Sequence, residues 1–161
     1  MLYYQTMKPT SYARRNVRHM LARKERAGRN ALLSSEAASV KTLAEGIVHL
    51  AQTGRGGYTI HPSTPDSTDV RDSQGRPIVF ISPSQPERGQ PTRDICVYGY
   101  RGDHKVSVSI TDGSLAPHLR YDSISLDPKG EIAQRVKRYL PKLPTEPNEM
   151  TAEIRPRGKE H

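Results

Sequence analysis

Three observations predict an α+β fold for this 161-residue chain. Apolar residues recur at helical spacing through the first third, the period turns extended after Gly56-Gly57, and helical spacing returns after Pro128. The expected architecture is an N-terminal helical pair and a C-terminal helix packed on a mainly antiparallel sheet of four to five strands. Residues 1–9 are expected to form a flexible N-terminus, 10–140 a single domain, and 141–161 a disordered, Pro-rich, charged tail.

The first helix is expected over 10–27. Thr10 or Ser11 can accept the amide hydrogens at its start. Ala13, Val17, Met20 and Leu21 then share one face, while Arg14, Arg15, Arg18, Lys24 and Arg26 lie largely off it, and Gly28 can stop the helix. The segment thus has an apolar side to dock and a cationic side to present. The second helix is expected over 35–53, with Ser34 or Ser35 as cap and Glu36 at the positive end of the helix dipole. Val40, Leu43, Ala44, Ile47 and Ala51 form its buried stripe, and Gly54 ends it. The short connection through Gly28 and Asn30 suggests an antiparallel pair.

Tyr58 to His61 is a short strand closed by Pro62, and 62–76 reads as a polar loop. Ile78, Val79, Phe80 and Ile81 in a row suit a strand buried on both faces. Residues 83–93, with three prolines and no aliphatic residue, read as a mobile loop. A hairpin is expected from Asp94 to Thr111, turning at Gly102-Asp103. Counting back from that turn, Gly99 faces Val106, Val97 faces Val108 and Ile95 faces Ile110, so every aliphatic residue falls on one side. Tyr98 beside Ser107 and Tyr100 beside Lys105 fall on the other. Tyr121 to Leu126 is a further strand with Ile124 and Leu126 inward. The last helix is expected to start with Asp127 as cap and Pro128 at its first position, burying Ile132, Ala133, Val136, Tyr139 and Leu140.

Composition narrows the function classes. Hydrophobic residues make up 34% of the chain, with no Trp and a single Phe, so the core must be thin. Cys96 is the only cysteine and cannot form an internal disulfide, which favours a reducing, cytoplasmic setting. No apolar run approaches a membrane span, and no secretory signal opens the chain. The N-terminus is Arg-rich, acid-poor and amphipathic, as mitochondrial presequences are, although the same text reads well as a folded helix.

Charge is the strongest functional pointer. Of the net +8, +7 sits in the first thirty residues, where Lys8, Arg14, Arg15, Arg18, Arg23, Lys24, Arg26 and Arg29 face one acid, Glu25. A local positive field of this kind suits the phosphates of a nucleic acid. It also suits an acidic protein partner, or a solvated face that keeps a weakly hydrophobic protein in solution. A membrane surface is disfavoured, because the helix lacks Trp and Phe anchors. On the hairpin, Tyr98 and Tyr100 beside Arg101 and Lys105 could stack bases and neutralise a backbone, or could be core under a covering helix. The candidate contacts to nucleic acid are therefore Arg14, Arg15, Arg18, Arg23 and Lys24, then Tyr98, Tyr100, Arg101 and Lys105, then Arg135 and Arg138 on the last helix.

Other motifs carry less. Thr53-Gly54-Arg55-Gly56-Gly57-Tyr58 lacks the Lys-Ser/Thr ending of a nucleotide loop and precedes a strand, so it reads as a helix stop and turn. Arg101-Gly102-Asp103 reads as turn chemistry. His61, His104 and His118, with Arg93, Arg101 or Arg120, offer the acid, base and cation of metal-free RNA cleavage, in the helices-then-sheet outline of small bacterial ribonuclease toxins. No His/Cys pair has metal-ligand spacing, and no cofactor is expected. The run Gly57-Tyr58-Thr59-Ile60-His61-Pro62-Ser63-Thr64, followed by Gly75 and by Ile78-Val79-Phe80-Ile81-Ser82-Pro83, resembles a pattern in uncharacterised bacterial proteins of phages, plasmids and integrative elements. The resemblance covers 57–83, with a longer spacer and without the Gly-Tyr expected before the second strand. It carries no activity and makes no residue functional. The expected function is a non-enzymatic basic accessory protein that binds nucleic acid or a nucleoprotein complex. A protein-interaction module docking an acidic protein and a small metal-free ribonuclease are the alternatives.

Overall fold

A computed structural model describes residues 11–125 and 128–144. One long helix, α1 (Ser11–Gln52), is followed by β1 (Thr59–His61), β2 (Thr68–Arg71), β3 (Pro77–Pro83), β4 (Arg93–Arg101), β5 (His104–Asp112), β6 (Leu119–Tyr121) and β7 (Ile124–Ser125), then by α2 (Glu131–Tyr139). The strands form one antiparallel sheet in sequence order, each paired with the next. The class is α+β as expected, with seven strands rather than four or five.

The expected helical pair is one continuous helix. Gly28 does not stop it, because Gly28 keeps helical backbone and is followed by the helix-compatible run Asn30-Ala31-Leu32-Leu33. A helical Gly costs only about 1 kcal/mol against Ala, and no proline enforces a break. Ser34 and Ser35 accordingly lie inside the helix rather than at a cap, and the Ser35 carbonyl accepts the Ser39 hydroxyl at 3.1 Å. The stop at the other end is as expected. α1 ends at Gln52, and Gly54, Gly56 and Gly57 all adopt positive φ.

The β4–β5 hairpin has the expected register, including Gly99↔Val106, Val97↔Val108 and Ile95↔Ile110. Its turn has positive φ at Gly102 alone, the arrangement that suits the twist of the flanking strands. The aliphatic side is the core side. Val40, Ala44 and Ile47 of α1 and Ala133 and Val136 of α2 pack there with Val70, Val79, Ile95, Val97, Val106, Val108, Ile110 and Tyr121. Both helices therefore lie on one face. Among the described residues no helix covers the outer face, on which Phe80, Cys96 and Tyr98 are half-buried, so β3 is not buried on both faces as its run of apolar residues suggested. The register shift opposite Val70 and Arg71 lets Ile78 and Val79 both reach the core.

Several local expectations need correction. The presumed polar loop at 62–76 contains β2, whose Val70 is fully buried. The expected strand from Tyr121 is a tight hairpin. Asp122 and Ser123 both take positive φ and reverse the chain, which leaves Ile124 exposed on a two-residue edge strand. α2 starts at Glu131 behind an extended Gly130, so Pro128 is not its first residue. The 83–93 loop is held rather than loose. Ser84 N–H donates to the Thr92 carbonyl at 3.0 Å, the buried Thr92 hydroxyl donates to the Gln85 carbonyl at 2.6 Å, and Glu87 bridges Gln90. From the expected tail, Leu143 packs against Gly46 of α1. The expectations for residues 1–9, Thr10, Leu126, Asp127 and 145–161 lie outside the described residues.

A close approach fixes α2. A Cβ on Gly99 would collide with the Tyr139 carbonyl, which is backbone and cannot swing aside. Gly99→Ala should cost about 1–3 kcal/mol in urea unfolding. Gly28→Ala, where nothing lies within 4 Å, should instead raise the helical signal in circular dichroism, by up to about 1 kcal/mol of helix stability.

Candidate nucleic-acid interface

Among the described residues no other element packs on the first half of α1. Leu33 and Ala37 are the first of its residues that pack on the core cluster. N-terminal to them some twenty residues extend as a lone arm, roughly 30 Å long at 1.5 Å per residue. Along its apolar stripe Val17 is 54%, Met20 58% and Leu21 55% exposed. Helical phase gives the reason. At 100° per residue, Val17 and Val40 point about 140° apart, so the stripe of the arm faces away from the sheet that Val40, Ala44 and Ile47 cover. Lys24 falls on this apolar stripe rather than off it by the same count.

Arg14, Arg15, Arg18, Arg23 and Lys24 are all exposed on the arm. Among the described residues none of them, nor Arg26 or Arg29, has an ion-pair or hydrogen-bond partner. The cations of the body differ. Arg71 pairs with Asp69 at 2.9 Å, Arg76 with Asp72 at 2.8 Å, and Arg93 bridges Asp112 at 2.9 Å and Glu45 at 2.8 Å. Lys41 reaches Asp112 at 3.2 Å, and Lys137 pairs with Glu36.

The remaining candidates form two further groups on opposite faces of the sheet. On the outer face, Lys105 Nζ sits 4.8 Å from the centre of the Tyr98 ring. Burial, followed by the neighbouring Cys96 thiol, raises the Tyr98 phenol above its ordinary pKa. Tyr100 is committed to the fold. Its hydroxyl donates to the Pro77 carbonyl at 2.6 Å and its ring lies 4.3 Å beneath Arg76. Arg101 shares the side of Ile95, Val97 and Gly99 and sits over the Tyr139 ring of α2 at 5.3 Å. On the helix-covered side, Arg135 is engaged by Asp122 at 3.0 Å, while Arg138 is exposed. Neither a single surface nor a covering helix unites the tyrosines with α2.

The three histidines do not converge. His61 lies on edge strand β1, hydrogen-bonded to Thr59 at 2.9 Å, and His104 follows the β4–β5 turn. His118 and Arg120 line a polar cleft of about 460 Å³ together with Glu87, Asp94 and Ser109. Glu87 accepts from the Ser114 hydroxyl at 2.7 Å and from Leu115 N–H, and these bonds lower its pKa. Sequence reasoning named His118 and Arg120 without this cleft, because it forms only when the 83–93 loop folds against the β5–β6 connection. Among the described residues no group of three metal-ligating side chains exists, and no helix is long and apolar enough to cross a membrane.

The Arg93 network ties α1 to the sheet and sets a pH dependence. Burial alone would raise the Asp112 carboxyl. Hydrogen bonds from Arg93 and Lys41, with their charges, outweigh burial and hold it below its usual range. A depressed folded pKa contributes stability that is present above the unfolded value and is lost as pH falls through the folded one. The urea midpoint should therefore drop as pH falls below about 4, and Asp112→Asn should flatten that acid limb while lowering the midpoint at neutral pH.

Compared with protein-family models, curated proteins and solved structures, the chain matches none.

Proposed function

We propose that this protein binds nucleic acid through the cationic side of its projecting arm, as a non-enzymatic accessory protein of the mobile-element kind its 57–83 segment resembles. One observation carries the reading: among the described residues the ion-paired cations all lie in the body, whereas Arg14, Arg15, Arg18, Arg23, Lys24, Arg26 and Arg29 have no such partner, on a stretch of helix that no other described element covers. Unpaired, closely spaced cations displace the condensed counterions of a polyanion, and that release drives binding. A helix about 10–12 Å across also fits a duplex major groove. Lys105, Arg101 and Arg138 are secondary contacts in this reading. Tyr98 is the one stacking candidate that the fold does not use for a hydrogen bond to the backbone.

The test is a titration of fluorescent duplex DNA, single-stranded DNA and RNA with the full chain at several salt concentrations. About five phosphate contacts on duplex should give a log–log salt slope near −4.5, at roughly 0.9 per contact. Replacing Arg14, Arg15 and Arg18 together by Glu should abolish binding and leave the urea midpoint of the body unchanged. Full affinity in that variant would refute the assignment. No binding to any of the three at low salt would transfer the arm to an acidic protein partner. A second reading, RNA cleavage, is favoured only by the placement of His118 and Arg120 in one cleft. An RNA substrate left intact by the parent chain, or cut equally by His118→Ala, would remove it.

A further inference from the structure

We propose that the apolar side of the arm is a dimer seam, occupied by the same side of the arm in a second copy of this chain, with the two helices parallel. Val17, Met20, Lys24, Ala27 and Ala31 recur at alternating intervals of three and four residues. That is the period with which one helix packs another by inserting side chains between those of its partner. Val17, Met20, Lys24, Ala27 and Ala31 are all exposed.

Three features of the arm select a second copy. The first is the distribution of charge. Arg15, Arg18, Arg26 and Arg29 fall at positions that point away from such a seam. In parallel register the flanking residues meet as Asn16 against Leu21 and Arg23 against Gly28, so no cation there opposes a cation. Among the cations, Lys24 alone meets its own copy. The second is steric. Because the core-facing side of α1 lies about 140° from the seam, the two bodies stand on the outside of the helix pair and do not collide. The third is length. Farther along α1 the same side carries the exposed Ala38, Thr42, Glu45 and His49, which are too small or too polar to continue an apolar seam. The seam is therefore confined to the arm, and its small residues Ala27 and Ala31 allow close approach where it nears the body. The dimer would point its cations outward on two sides, one for each nucleic-acid segment. The seam itself does not depend on the nucleic-acid reading.

The salt dependence separates the two proposals. Counterion release makes nucleic-acid binding weaken with salt. Pairing two arms of like charge, with Lys24 against Lys24, should strengthen as salt screens them. Sedimentation equilibrium of the full chain should show a monomer–dimer equilibrium that tightens severalfold between about 0.05 M and 0.5 M salt. Lys24→Leu should tighten it by about tenfold or more, and Met20→Glu should loosen it by a similar factor. Both positions are exposed in the monomer, so neither change should move the urea midpoint of the body. On a Cys96→Ser background, Val17→Cys should yield a disulfide-linked dimer on mild oxidation, since in-register parallel pairing brings this position against itself. A chain that remains monomeric at both salts even with Lys24→Leu overturns the proposal, whether or not DNA binds. So does a dimer that Met20→Glu leaves equally tight.

Discussion

The Glu36 carboxylate holds the molecule together at the point where the arm leaves it. Tyr121 is fully buried, and its hydroxyl donates to Glu36 Oε1 at 2.7 Å, while Lys137 pairs with the same oxygen. One acid thus joins β6, α1 and α2. A buried phenol without a partner would forfeit its hydrogen bond to water with nothing in return, so this bond fixes the axial position and rotation of α1 over the sheet. Burial, then the hydrogen bond to Glu36, raises the Tyr121 phenol far above its ordinary pKa, so it stays protonated and donating at neutral pH. The Arg93 bridge between Asp112 and Glu45 repeats the tie about two and a half turns farther along the same helix.

Fixing the rotation of α1 also decides what its first half does. Since the helix is continuous, the direction of every arm residue follows from the direction of Glu36 and Val40. A break at Gly28 would have let the arm fold back and bury Val17 and Met20 on the body. Without that break the stripe faces away from the sheet, and no other described element of the chain covers it. Every ion pair among the described residues lies in the body, and the charge surplus of the sequence falls on the arm, which has none, although Arg120 and Arg138 of the body also lack an ion pair there.

Where pattern and turn chemistry agree, the sequence is readable. The hairpin at Gly102-Asp103 has alternating aliphatics and a glycine that tolerates positive φ, and its register follows residue for residue. The buried stripe from Val40 to Ala51 is likewise periodic. Legibility fails where one signal is missing. β2 has a single buried aliphatic, Val70, among polar residues, and it joins the sheet because its neighbours supply the ladder. The β6–β7 turn uses Asp122 and Ser123 at positive φ, where neither glycine nor asparagine advertises it. At the candidate interface the charge was legible, but the loss of Tyr100 to Pro77 and of Arg135 to Asp122 was not, because those partners lie 23 and 13 residues away in sequence. Helix phase across Gly28 was legible in principle. It needed the one fact that propensity left open, namely that Gly28 continues the helix.

The charges of the arm also oppose its own helix. Arg14 and Arg18 are four residues apart, and Arg15–Arg18, Arg23–Arg26 and Arg26–Arg29 are three apart, so each is a like-charge pair on one helical face. Such pairs cost about 0.2–0.5 kcal/mol apiece, and only Glu25 with Arg29 contributes in the other direction. A segment of about twenty residues that does not pack on the core is close to the length at which a helix in water is marginal. Whatever neutralises these cations removes the repulsion and stabilises the helix in the same step. Whatever covers Val17 and Met20 stabilises it independently from the other side. Binding of an anion to one face and of an apolar surface to the other are therefore coupled through helix formation, with each favouring the other although the two ligands never touch.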